Sequence, residues 1–226
     1  MSKSLDARLA AVAKRICCTT HADIGSDHAS LLVSLLRTGR IGYAIAVENK
    51  QLPFENSVRA LKGLAAEVRF GDGLDVINTQ EADSLSICGM GAESIRGILL
   101  AYPKRVPERV VIEVSEKAEV IRRWGYEHGF HLASEEKTFG RRFFTILCFQ
   151  RPVDSQQRDP AYENVDLDSA LAFGPFVLCR KDRQFDLQLQ HEEAWWRKFD
   201  RLSPEASHRL GLIRKVMDAR RVRSLL

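Results

Sequence analysis

The sequence predicts an α/β protein: a mostly parallel, doubly wound sheet finished by an antiparallel pair, then a helical hairpin. Three observations carry this prediction. Apolar runs of strand length alternate with segments of helical periodicity through the first 128 residues, which is the rhythm of β-α-β crossovers. Two strand-like runs, HLASEEKTFG and RRFFTILCFQ, then follow each other around Gly140 with no helix between them. Past the polar segment RPVDSQQRDP the pattern turns helical, so a boundary is expected near residue 155.

The elements follow in order. Leu5, Leu9, Val12, Ala13 and Ile16 recur on one face of a helix over about residues 4 to 16. HADIG reads as a short strand ending in turn residues, and HASLLVSLLRTG as a helix stopped by Gly39. IGYAIAVE is a continuous apolar run closed by an acid, as in a strand covered on both faces. Pro53 suits the first turn of a helix running to about Gly63, where a missing N–H costs little. VRFGDG and ADSLSICGMG are the third and fourth strands, and ESIRGILLAY is the helix after them. VPERVVIEV and EKAEVIRRWGYEHG are the fifth strand and its helix. Residues 1–155 are thus expected to form a catalytic domain and 156–226 a C-terminal helical, coiled-coil-like domain. In the latter, Gly174-Pro175-Phe176 precedes helices of about 180–201 and 204–223, broken at Ser203-Pro204. Leu187, Trp195, Phe199 and Leu202 are expected to form one packing seam, with Leu210, Ile213 and Val216 forming the other.

Composition bounds the function. Apolar residues make up 45% and charged residues 28% of the 226, as in folded globular chains. No apolar run approaches a membrane span and MSKSLDARLA has no signal-peptide core, so a cytoplasmic protein is expected. The five cysteines show no C-x-x-C and no zinc spacing, so neither a metal nor a disulfide framework is expected. The net charge of +4 is uneven. From Arg201 onward there are seven Arg or Lys against two acids, Glu205 and Asp218, a net of +5. A neutral body with a basic end suggests a polyanionic partner, against the alternative of a solvated helix face.

In an open parallel sheet the ligand crevice lies outside the carboxyl ends of the strands. The loops there are Asp23-Ile24-Gly25-Ser26-Asp27-His28, Glu48-Asn49, Gly71-Asp72-Gly73 and Cys88-Gly89-Met90-Gly91. All four carry Gly, an acid or both, which together point to a nucleoside-type cofactor where any one alone would read as a turn. Glu48, 25 positions past Asp23, is placed to accept ribose hydroxyls. Asp72 is placed to accept from an adenine amino group, with Gly71 and Gly73 admitting the ring. Gly25 and the following helix N-terminus offer room and N–H donors to a carboxylate. The loop Gly25-Ser26-Asp27-His28-Ala29-Ser30 lacks two of the three glycines of a dinucleotide fingerprint and holds an acid that would repel a pyrophosphate. Asp27 would instead orient an ammonium. S-adenosylmethionine (SAM) is therefore favoured over NAD, and the P-loop pattern of an NTPase is missing.

Leu5-x-x-Arg8-Leu9-x-x-Val12-Ala13, Ala22-Asp23-Ile24-Gly25-Ser26-Asp27-His28-Ala29, Gly71-Asp72-Gly73-Leu74, Ala82-Asp83, Gly89-Met90-Gly91 and Gly174-Pro175-Phe176 together resemble the bacterial tRNA (adenine-22-N1)-methyltransferases. The resemblance spans nearly the whole chain. It implies a Rossmann-like class I SAM fold, a C-terminal helical pair, and methylation of an adenine N1 in the tRNA D-loop. Two departures from the family pattern, Ala92 after GMG and Glu113-Val114-Ser115 after strand five, fall near the expected target-base pocket.

For direct attack by adenine N1, Glu113 is the candidate for stabilising the positive charge that develops on the ring, and the Gly89-Met90-Gly91 backbone for holding the base edge. Cys88 is weighed as a nucleophile for a covalent pyrimidine mechanism, against a small residue packed at a strand end. His28 is either a cofactor neighbour or a local hydrogen-bonding residue. The RNA-binding candidates are Arg8, Arg214, Lys215, Arg220, Arg221 and Arg223, with Lys14 and Arg15 beside Arg8, and Trp195 or Trp196 could stack on bases. A monomer is the default expectation. A nucleotide-dependent oxidoreductase and a non-catalytic RNA-binding module are the alternative functions.

Overall fold

The computed structural model describes residues 5–139, 143–154 and 156–224, so the predicted turn at Gly140 lies outside the described residues. The chain divides into two compact units, Met1–Gln157 and Arg158–Leu226.

In the first unit the strands are β1 (Cys18–Ile24), β2 (Ile41–Glu48), β3 (Ala66–Phe70), β4 (Ser84–Cys88), β5 (Arg109–Val114), β6 (His131–Phe139) and β7 (Phe143–Gln150). They form one seven-stranded sheet in the order β3-β2-β1-β4-β5-β7-β6. β1 to β5 pair in parallel and β7 runs antiparallel to both β5 and β6. The order reverses between β2 and β4 on either side of β1, which opens a crevice above their carboxyl ends. Register matters there. Asp23 is paired with Ser86 and His21 with Ser84 across β1 and β4, and Cys88 with Glu113 across β4 and β5.

Helices α1 (Ala7–Ala13), α2 (Ser30–Arg37), α3 (Gln51–Leu61), α4 (Ala92–Ala101) and α5 (Ala118–Glu127) cross between strands or flank the sheet. α1 is shorter than predicted because Asp6 caps it, accepting from Leu9 N at 2.8 Å, and the chain must turn before β1 begins at Cys18. α2 buries Leu31, Leu32 and Leu35 against the sheet, each contributing about 1.5–3 kcal/mol. Pro53 is the third residue of α3, where N–H groups have no partner within the helix. α5 is fixed to β6 by a buried ion pair, with Arg122 Nη2 at 2.5 Å from Glu135 Oε1.

The second unit holds α6 (Leu167–Phe173), α7 (Pro175–Cys179), α8 (Arg183–Trp196) and α9 (Pro204–Ser224). α8 and α9 pack together and α6 also contacts α9. α9 buries Leu210, Ile213 and Val216 as expected. The seam predicted on α8 is wrong: Leu187, Trp195 and Phe199 are exposed, and the buried positions are Phe185 and Leu189. Phe185 and Leu189, four apart, share the inward face, which puts Leu187 on the opposite side of the helix, and α8 ends at Trp196, before Phe199. Among the described residues no helix is long and apolar enough to cross a membrane.

Candidate active site

β1 delivers Asp23 into the crevice at 4% exposure. Its carboxylate accepts from Ser26 Oγ at 2.6 Å and from Ser86 Oγ. Ser86 in turn contacts Nε2 of the fully buried His21 at 2.9 Å, whose Nδ1 lies 2.6 Å from Ser84 Oγ. Ser84 Oγ is 3.1 Å from Cys18 Sγ. Alternation along β1 and β4 puts His21, Asp23, Ser84 and Ser86 side by side on one face of the sheet. Burial raises the Asp23 carboxyl to about 6, against the two serine hydrogen bonds and the Arg8 charge. Burial and Arg109 push His21 down to about 3.

The loop after Asp23 turns sharply. Gly25 sits at φ +73°, with its N–H on Val47 O at 2.9 Å and the Met90 methyl packed against its Cα. Asp27 and Ala29 also have positive φ, and no side chain caps α2. Asp27 and His28 are both about two-thirds exposed and lie 3.7 Å apart.

Glu48 ends β2 as a buried acid held by Ser57 Oγ at 3.4 Å and by the Asp27 backbone. Burial, with the nearby Asp23 and Asp27 charges, raises its carboxyl above the usual range. Asn49 Nδ2 donates to Asp72 at 3.0 Å, which ties the ends of β2 and β3 together. Gly73 has φ +62°, and a Cβ there would meet Ile98 at 2.9 Å. A Cβ on Gly71 would meet Val76 at 2.3 Å. Both glycines are therefore required by the fold itself.

Beyond β4, Gly89 again has φ +72°, and its N–H donates to Glu113 Oε2 at 2.9 Å. The same oxygen accepts from Arg8 Nη1 at 2.7 Å. Among the described residues Glu113 Oε1 has no hydrogen-bond partner. Glu113 is only 1% exposed, so it does not face an open pocket as expected, because the Arg8 ion pair and the Gly89 N–H hold it in. Arg8 is correspondingly drawn to the strand ends, away from its expected role as a free RNA contact. Gly91 caps α4 with open space around its Cα. Cys88 is partly buried, and burial together with Asp23 and Glu113 raises its thiol well above the usual value.

A cavity of about 620 Å³ opens between these loops and α4. Gly25, Asn49, Gly71, Asp72, Gly73 and Met90 line it, whereas Asp23, Ser26, Asp27, His28, Glu48, Cys88, Gly89, Gly91 and Glu113 do not. The α4 wall, formed by Ser94, Ile98 and Ala101, was not anticipated from the sequence, although these positions share one helical face. Among the described residues no cluster of three His, Cys, Asp or Glu could hold a metal ion.

The expected phosphate contacts on α9 are differently placed. Arg220 is largely buried, bonded to Asp186 at 2.5 Å and to the carbonyls of Val177, Leu178 and Arg180, so it caps α7 and is not free to bind an anion. Arg214 pairs with Glu193 at 3.1 Å and Lys215 with Asp166 at 2.5 Å. Arg221 is exposed, 3.7 Å from Asp218, and the side chain of Arg223 lies outside the described residues.

Comparison with known proteins finds relatives of both the sequence and the fold. The family described as "Methyltransferase domain" matches residues 5–147. The tRNA (adenine(22)-N(1))-methyltransferase of Bacillus subtilis strain 168 is 30% identical over 218 residues, covering 87% of this chain and 90% of that protein. The crystal structure of the B. subtilis m1A22 tRNA methyltransferase superposes with a TM-score of 0.84 at 29% identity, covering 95% of this chain and 99% of that one. A Streptococcus pneumoniae candidate tRNA (m1A22) methyltransferase, solved with S-adenosyl-L-methionine, gives 0.77 at 25% identity over 95% and 100% of the two chains. The chain therefore belongs to the tRNA (adenine(22)-N(1))-methyltransferase family.

Proposed function

We propose that this protein is a SAM-dependent methyltransferase of tRNA, with N1 of adenine 22 as the methyl acceptor. The observation that carries the reading is the convergence of the carboxyl ends of β1 to β4 on one cavity of about 620 Å³, in a chain of this family. That size suits a nucleoside-bearing ligand.

SAM, when bound, supplies a methyl group activated on a sulfonium. Asp72, steadied by Asn49, accepts from the adenine amino group, and Gly71 and Gly73 form the floor beside it. An ionised carboxylate has about four acceptor sites, so Glu48 retains capacity for ribose hydroxyls beyond its two protein donors. Gly25 and the uncapped first turn of α2 receive the methionine carboxylate, and Asp27 with Asp23 orients the ammonium. Ser26 acts through Asp23, and His28 borders the methionine end.

Adenine N1 carries its own lone pair, so no base must act before attack, and orientation supplies much of the rate. Gly89, Met90 and Gly91 present backbone to the base edge. Glu113 is a positioning residue that fixes this loop through the Gly89 N–H. Cys88 has no part in this direct transfer, and burial beside Asp23 and Glu113 disfavours its thiolate.

Two measurements test the reading. Calorimetry should show binding of SAM and S-adenosylhomocysteine (SAH) but not NAD, and NAD binding without a SAM signal would reject it. Incubation with SAM and unmodified tRNA should yield 1-methyladenosine by nucleoside mass spectrometry; methylation of another base would reject the acceptor.

A further inference from the structure

The C-terminal end of α8 carries aromatic surface that the helical unit does not use. Phe185 and Leu189 face inward, and one turn later Glu192 and Glu193 are occupied by Arg209 and Arg214 of α9. Trp195, Trp196 and Phe199 come after the last buried position of α8. Trp195 packs edge to face against Trp196 and Phe199, with ring centroids 4.5 and 4.8 Å apart. Trp195 is nevertheless 49% exposed and Phe199 47% exposed. Lys198 and Arg201 are exposed beside them, and neither forms an ion pair among the described residues. Arg197, paired with Glu193, is still 65% exposed. Arg197, Lys198 and Arg201 thus flank the three clustered rings in sequence, with Asp200 between them and Glu193 on Arg197.

We propose that this tip, built from Trp195, Phe199, Lys198 and Arg201, is a stacking platform for an unpaired nucleotide of the tRNA. The proposal rests on the RNA-substrate reading above and adds to it where the RNA is gripped. Three considerations select an RNA occupant. Exposed rings offer a sequence-tolerant π-face, and flanking cations meet the adjoining phosphates. The base must be unpaired, since a duplex hides its faces. Arg209, Arg214, Lys215 and Arg220 of α9, in contrast, each already face a carboxylate, Glu192, Glu193, Asp166 and Asp186 respectively.

The test uses the full chain and unmodified tRNA. Anisotropy of labelled tRNA at several salt concentrations gives Kd and its salt slope for the parent, the Trp195→Ala/Phe199→Ala pair, Trp195→Phe, and the Lys198→Gln/Arg201→Gln pair. SAH calorimetry and thermal melting accompany each variant. The alanine pair should weaken tRNA about tenfold or more with an unchanged salt slope, and Trp195→Phe should stay near the parent. The glutamine pair should flatten the slope by about one unit per lost contact. SAH affinity should be the same in all. A folded, SAH-binding alanine pair with the parent's tRNA affinity overturns the platform. A parent that binds SAH and no tRNA overturns the substrate reading, a different outcome.

A second readout keeps both Trp195 and Phe199 in place. Trp124 is 2% exposed, so in a Trp196→Phe background acrylamide quenching reports Trp195. That signal should be shielded by tRNA and left unchanged by SAH or by a fully paired RNA duplex. Equal quenching with and without tRNA overturns the proposal.

Discussion

Arg8 Nη1 lies 2.7 Å from Glu113 Oε2, an ion pair joining residues 105 positions apart at the mouth of the sheet. Glu113 is buried and Arg8 about a third exposed. Removing one partner of such a pair leaves a buried charge uncompensated, at about 3–5 kcal/mol, whereas removing both is far cheaper. Arg8→Met should therefore destabilise strongly, and the Arg8→Met/Glu113→Gln double variant should recover much of the loss. Urea melts of the four proteins measure this coupling; additive effects would mean that the two side chains are independent.

Asp23 gives a pH-dependent signature. Its carboxyl is raised to about 6 in the folded protein, so the unfolded chain releases the proton first and stability falls as pH rises from about 4 to 6. Two units correspond to about 3 kcal/mol. Asp23→Asn should remove this loss, gaining stability over the parent at pH 8 while showing little gain at pH 4. His21, held near 3, acts oppositely, losing stability as pH falls below about 6.5. The difference between variant and parent isolates Asp23. The same variant should bind SAM more weakly, and thermal melts with calorimetry at several pH values check both.

Glu48→Ala should weaken SAM by about 1–3 kcal/mol, the cost of leaving hydrogen-bonding groups unpaired. Titration calorimetry decides it, and an unchanged affinity would put the ribose elsewhere.

Cys88→Ser should keep methyl transfer within about tenfold, or about 1.4 kcal/mol of barrier. Its thiol should also resist iodoacetamide at pH 8 while the exposed Cys17 and Cys179 label. Peptide mass spectrometry after timed alkylation gives the order, and early labelling of Cys88 would revive it as a nucleophile.

Arg220→Gln should lower stability by about 2 kcal/mol, since it removes charged hydrogen bonds to Asp186 and to the carbonyls that end α7. Arg221→Gln, whose side chain is 73% exposed, should leave the melt within about 0.5 kcal/mol. Similar melts for the two variants would contradict the capping role.

The sheet was legible because its strands are apolar runs bounded by turn residues, and IGYAIAVE became β2 residue for residue. The acids and glycines at strand ends were equally visible, since position along a strand depends only on local pattern. Burial was not. Glu113 reads as an accessible acid until Arg8, a hundred residues away, is seen to cover it. Arg220 reads as a surface charge until α7 is known to end beside it, and α7 itself, with five residues, is too short to show a period. His21, Ser84 and Ser86 carried a signal that went unused: polar residues two apart in otherwise apolar strands.

That chain of buried groups also has a direction. With Asp23 ionised, Ser86 must give its hydrogen to the carboxylate, so His21 can bond to Ser86 only as the Nε2–H tautomer. Nδ1 is then an acceptor and Ser84 must donate to it, which leaves the Cys18 thiol to donate to Ser84 Oγ or to the Thr20 carbonyl. Four side chains, Asp23, Ser86, His21 and Ser84, share one proton arrangement, written from the carboxyl end of β1 back along the strand. Nitrogen chemical shifts of His21 thus become a spectroscopic record of an ionisation that takes place at a different residue.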